Sequence, residues 1–168
     1  PTVPIADVLA RTGVDRAAVT ALVRKGVLAE VMRPVDGRVG AAGEPERAPI
    51  LTAPQAEAWS AVERGLAAGD STPILLHGVT GSGKTEVYLR AVAWCLRHGR
   101  SAIVLAPEIA LASQLVRRVT ARFPGRVAVL HSALAEGERL AAWTGAADGS
   151  IPVIVGPRSA LFAPVRDL

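Results

Sequence analysis

With 168 residues the chain has about the length of one domain. Half of it is hydrophobic and a fifth is charged, and 19 basic against 15 acidic side chains leave a net charge of +4. That composition excludes a disordered chain, the small charge does not by itself establish nucleic-acid affinity, and the single cysteine, Cys95, excludes an internal disulfide or a cysteine-cluster metal site.

The first elements in chain order form a small head. A short helix is predicted around residues 5–10. Asp15 then suits the N-cap of a second helix over 16–25, with Val19, Leu22 and Val23 on one face and Gly26 closing it as a C′ residue. Residues 27–32 read as a strand. Helix, helix, strand is compatible with part of a winged helix over residues 1–32, although fewer than about 40 residues rarely bury a sufficient core alone. Residues 33–49 hold three prolines and three glycines without apolar periodicity. A linker over 33–50 is predicted there.

The body, residues 51–168, opens on a capping box. Thr52 and Gln55 stand three apart with Pro54 inside the first turn of a helix reaching about residue 68. Four short apolar, β-branched runs follow at 74–77, 102–106, 127–130 and 151–155, their starts roughly 25 residues apart. Helical patterns fill the gaps at 84–98, 107–123 and 136–147, the first closed by Gly99. Short buried strands alternating with helices predict an α/β fold with a parallel sheet covered on both faces. The longest apolar runs, 103–107 and 151–155, fall far short of the roughly 18 residues a membrane span needs.

One octet carries the clearest chemistry. Gly78, Val79, Thr80, Gly81, Ser82, Gly83, Lys84 and Thr85 match G-x-x-x-x-G-K-[ST] between a predicted strand and a predicted helix, the context in which this motif binds phosphate. The glycines let successive backbone N–H groups converge on phosphate oxygens, and the helix N-terminus adds its positive end. Lys84 would reach the β- and γ-phosphates and the Thr85 hydroxyl would ligate Mg²⁺. Lys84 is one of only two lysines beside seventeen arginines.

A nucleoside triphosphatase also needs an acid at the end of another strand, and none of the four runs ends in one. The segment alone is therefore expected to hydrolyse ATP poorly. In a parallel sheet, ligands gather beyond the carboxyl ends of the strands, where the sequence places Pro107, Glu108, His131, Ser132, Arg158 and Ser159. Each taken singly also reads as an ordinary cap or loop residue, but together they suit phosphate-backbone contacts. Arg117, Arg118, Arg122 and Arg126 read as a solvated helix face. The aromatics, three Trp, two Phe and one Tyr, show no alternation with basic residues of the kind a base-stacking platform uses.

Five segments in order carry a resemblance. HGVTGSGKTEVYL at 77–89, APEIALASQ at 106–114, VLHSAL at 129–134, GERLAAW at 137–143 and GPRSALFAP at 156–164 resemble the first RecA-like lobe of the PriA family, the primosomal replication-restart helicases of superfamily 2. DRAAVTALVRKGVL at 15–28 is similar to the end of the winged-helix domain that precedes the helicase core there. The resemblance implies a 3′-to-5′ DNA helicase driven by ATP and Mg²⁺. It also implies forked and single-stranded DNA, primosome and replicative-helicase-loading proteins and single-stranded DNA-binding protein as partners, and a cytoplasmic, nucleoid-associated location without a membrane. Carried over, Leu51, Thr52 and Gln55 correspond to the segment that reads adenine, residues 78–85 to the phosphate site, and Pro107, Glu108, Gln114, His131, Arg158 and Ser159 to DNA-facing motifs. Pro157 stands where the family's motif usually has threonine, which removes a hydroxyl and a backbone donor. The family's Asp-Glu-Glu-His motif, its zinc module and its second lobe are not in this sequence, so the chain is expected to be a segment of a longer protein.

Two other classes remain open on the residues. One is a degenerate, non-hydrolysing lobe that acts as a DNA- or protein-binding scaffold. The other is a P-loop nucleotide kinase, which would need an arginine-rich lid and an acceptor pocket.

Overall fold

The computed structural model describes residues 3, 5–31, 36–40, 43–107 and 114–168. Its contacts divide the chain into two units, Pro1–Pro34 and Val35–Leu168.

The first unit carries helices α1 (Ile5–Thr12) and α2 (Arg16–Arg24). Asp15 adopts an extended conformation, and its Oδ1 accepts the Ala18 N–H at 2.7 Å, satisfying one of the donors that a helix start leaves unpaired. At the other end Gly26 takes φ 69°. The chain turns there, with the Gly26 N–H donating to the Val23 carbonyl and the Val27 N–H to that of Leu22. The strand predicted over 27–32 does not form in residues 27–31. Val27 is 67% exposed and Val31 64%, for a strand needs both a hydrogen-bonding neighbour and a surface to cover.

The second unit begins with residues that lack regular structure. The stretch with linker composition is nevertheless fastened to the body of this unit: the Val39 N–H donates to the Val127 carbonyl at 2.7 Å and the Glu46 N–H to that of Ala121 at 2.9 Å. Next comes α3 (Ala53–Ala68), with Pro54 in its first turn. The Gln55 Oε1 accepts the Thr52 N–H at 3.0 Å, and Gly69 in the left-handed region closes the helix. The remaining elements are α4 (Lys84–Arg97), β1 (Ala102–Leu105), α5 (Gln114–Arg122), β2 (Val127–Val129), α6 (Glu136–Asp148) and β3 (Val153–Gly156). A 3₁₀ helix at Arg158–Phe162 ends the series.

The three strands form one parallel sheet in the order β1-β3-β2, with Ala102 and Val127 both opposite Val153. Every residue of the central β3 is buried. Alternation along the strands sorts the two faces. Val127, Val129, Val153 and Val155 pack with Leu89 and Val92 of α4 and with Val119 and Phe123, whereas Ala128 and Ile154 pack with Ala142 and Ala146 of α6 and with Ala160. Helices thus cover both faces, as the parallel α/β reading requires. One predicted strand is missing from this sheet: residues 74–77 are in no strand, and Ile74 and Leu75 are 53% and 89% exposed.

Candidate nucleotide-binding site

The glycine loop lies directly before α4 even though the residues preceding it form no strand. Gly81 and Gly83 hold φ near 83° and 82°, in the left-handed region that costs other residues dearly. The Ser82 N–H donates to the Val79 carbonyl at 3.2 Å, closing the turn. A Cβ on Gly78 would lie 2.9 Å from the Ser82 Oγ, so a side chain there would require the Ser82 hydroxyl to turn aside. Lys84 is the first residue of α4, and its ammonium group folds back to donate to the carbonyls of Gly78 at 2.6 Å and Val79 at 2.9 Å. The cation therefore already sits over the loop. Thr85, half-buried, follows it in the first turn.

Gln55 reaches the same loop from α3. Its amide Nε2 donates to the Ser82 carbonyl at 2.9 Å while its Oε1 holds the Thr52 N–H, so one side chain caps α3 and braces the loop 27 residues away. A Cβ on Gly83 would collide with that Nε2. These features fit a nucleotide phosphate chain: a tight glycine-lined turn, a helix N-terminus and a lysine poised on one spot. Among the described residues no three His, Cys, Asp or Glu side chains gather around a point. Of the residues at this loop, the Thr85 hydroxyl could join the phosphates in holding a Mg²⁺ ion.

A second cluster of predicted residues lies at the carboxyl ends of the strands. β1 runs out through Ala106, whose N–H donates to the Gly156 carbonyl at 2.9 Å, and β2 runs out through Leu130, whose N–H donates to Val155 at 2.8 Å. Pro107, His131 and Pro157 therefore follow three neighbouring strands at one edge. Pro107, Ser132, Arg158 and Ser159 are exposed and His131 is half-buried. Gly156 lets this edge close, because a Cβ there would lie 2.5 Å from the Leu130 carbonyl oxygen and 2.6 Å from the Ala160 Cβ. Pro157 at φ −72° fits its turn without strain, and its carbonyl accepts the Ala160 N–H at 2.8 Å. Gln114 is the exposed first residue of α5; Glu108 lies outside the described residues.

The reading of the arginine run as a solvated face needs correction at Arg122, which is only 9% exposed. Its guanidinium grips Glu86 with two parallel bonds, Nη1 to Oε1 at 3.2 Å and Nη2 to Oε2 at 2.9 Å. Neither charge could be buried without the other. Sequence reasoning passed over Glu86, although an acid four residues before Arg90 and beside the apolar positions Val87 and Leu89 was a usable signal.

A profile of the DEAD/DEAH box helicases matches residues 52–166. The chain belongs to this helicase family. Among curated proteins it is 39% identical to the replication restart protein PriA of Bacillus subtilis over 99% of its length and 38% identical to that of Synechocystis over 98%. Over 56% of its length it is 50% identical to PriA of Chlamydia pneumoniae. The resemblance to PriA read from the five segments thus holds, with an α/β, RecA-like lobe as its fold. The chain spans about a fifth of the length of the first two relatives. Helicases of this family use nucleotide and Mg²⁺ and act on nucleic acid, which sets the chain apart from nucleotide kinases. No described helix is long and apolar enough to cross a membrane.

Proposed function

We propose that this chain is the ATP-binding lobe of a 3′-to-5′ DNA helicase of the PriA type, acting in the restart of stalled replication forks and in primosome assembly. The observation that supports this most is the pairing of a folded glycine loop, with Lys84 on the Gly78 and Val79 carbonyls, with PriA relatives that match nearly the whole chain. In this reading Lys84 leaves those carbonyls for the β- and γ-phosphates when nucleotide enters, the backbone N–H groups of residues 79–84 line the phosphates, and Thr85 holds Mg²⁺. ATP supplies the free energy of phosphoanhydride cleavage. Gln55, Thr52 and Leu51 face the adenine. Pro107, Glu108, Gln114, His131, Ser132, Arg158 and Ser159 form one wall of a track for single-stranded DNA. Residues 1–32 contribute part of a winged helix and 33–50 the connection to the lobe.

Calorimetric titration of Mg-ATP into the intact protein, beside the Lys84→Ala variant, tests this. Binding by the wild type and its loss in the variant, together with loss of unwinding but not of fork binding, is the expected result. A wild type that binds no nucleotide, or a variant that still unwinds, overturns it. One observation favours a non-hydrolysing scaffold instead: Pro157 brings no N–H to the edge where a phosphate contact is read. Under that reading DNA affinity would be the same with and without nucleotide.

A further inference from the structure

Glu86 is the third residue of α4, directly after Lys84 and Thr85, and only 8% exposed. Two arginines meet on its carboxylate, one from α5 and one from α4 itself. Arg122, in the last turn of α5, holds both oxygens in a fork. Arg90, one turn along α4, places its Nε 3.3 Å from Oε1 and passes its Nη2 on to the Pro49 carbonyl at 2.8 Å, three residues before Thr52. One buried acid therefore ties the phosphate-loop helix to α5 and to the entry of α3.

Stability alone is a poor reason for such a cluster. Well-packed apolar residues of similar volume commonly do as well as a buried ion pair, because desolvation offsets the Coulomb attraction. What a two-pronged Arg–carboxylate contact adds is geometry, for it holds in only one alignment of the two helices. The far end of α5 is Gln114, and in a parallel sheet a crossover helix runs back from the carboxyl end of the strand before it, here β1. At nine residues α5 is a stiff rod of about 13 Å. A shift imposed at one end moves the other.

We propose that Glu86 is a positioning residue: through Arg122 and α5 it makes the placement of Lys84 and Thr85 sensitive to what is bound at the carboxyl edge of the sheet, and so couples DNA occupancy to ATP turnover. This rests on the helicase reading above. Both arginines are needed in it, Arg122 to register α5 and Arg90 to hold the start of α3 to the same carboxylate.

The test is ATP hydrolysis by the complete protein with and without single-stranded DNA, for the wild type, for Arg122→Lys and for the double variant Glu86→Met/Arg122→Met. Lysine keeps the charge without the fork, and the methionine pair removes the bridge without leaving a buried charge alone. DNA stimulation is expected to fall at least about fivefold in both variants, the low end of ordinary coupling between sites. The KM for ATP without DNA should stay within about twofold of wild type, and the double variant should melt near the wild-type temperature. Undiminished stimulation in a double variant that melts normally overturns the proposal and leaves the cluster structural. So does a raised KM for ATP with the stimulation ratio intact, which would make Glu86 a nucleotide-site residue. Should the double variant fail to fold, Arg122→Lys decides by the same two readouts. A wild type whose hydrolysis ignores DNA defeats the helicase reading first, and the coupling with it.

Discussion

Residues 73–78, PILLHG, and 152–157, PVIVGP, are nearly the same message: a proline, a short apolar run and a glycine. Their outcomes are opposite. The second becomes β3, paired on both sides and buried throughout, whereas the first pairs with no strand among the described residues and leaves Leu75 89% exposed. A strand is stabilised by its neighbours, and β3 finds β1 and β2 through crossovers that bring both alongside it. Composition nominates a strand and long-range pairing elects it. The glycine loop folds after the unpaired segment all the same, because its turn depends on local φ values and on Gln55.

The contrast can be broken most severely at its buried end. Ile154→Ala removes a side chain with no exposed surface from between β3 and α6, and should cost about 2–5 kcal/mol, read as a fall in the thermal or urea midpoint. Ile74→Ala, at 53% exposure, should cost well under 1 kcal/mol in the same measurement. Equal losses would mean that residues 74–77 are paired and covered in solution.

A second prediction sharpens the claim that the loop is set locally. Gly83→Ala adds a Cβ where the backbone stands at φ 82° and where the Gln55 amide already sits, a strain of order 1–3 kcal/mol. Mg-ATP affinity should fall about tenfold or more, and the same strain should lower the melting temperature by a few degrees. Adding Gln55→Ala would relieve the collision but not the φ, and it also removes the side chain that braces the loop, so little of the affinity should return. Full recovery would mean that the collision alone matters.

At the carboxyl edge, Arg158→Ala should weaken single-stranded DNA binding by a few-fold and lower the slope of log affinity against log salt by about one, the signature of a lost phosphate contact. An unchanged slope would remove Arg158 from the track.

The smallest effect concerns Cys95. Burial raises its thiol above the ordinary cysteine range, and the nearby positive charge of Arg100 offsets only part of that. Less thiolate is then present near neutral pH than in an unperturbed cysteine, so alkylation by iodoacetamide should run slower than for a small free thiol and accelerate only as the pH is raised beyond the ordinary cysteine range. Alkylation as fast as free cysteine at neutral pH would show the site to be open.

Local chemistry was legible in the residues. Asp15 as a cap, Pro54 in the first turn with Gln55 reaching back to the Thr52 N–H, and the glycine closures at 26 and 99 each depend on a few consecutive positions, and each appears where the pattern placed it. The helices predicted over 84–98 and 136–147 became Lys84–Arg97 and Glu136–Asp148. The strand over 27–32 failed where it is described, for the same reason as 74–77.

Sequence alone determined that the chain carries a tight glycine turn at the start of a helix and builds an α/β lobe, because turn geometry, helix capping and the alternation of apolar runs act over a few residues at a time. Only the tertiary structure decided which runs pair, in the order β1-β3-β2, and that Arg122 leaves the solvent to hold Glu86. Both are contacts between residues far apart in the chain, and their energy lies in partners that no local pattern names.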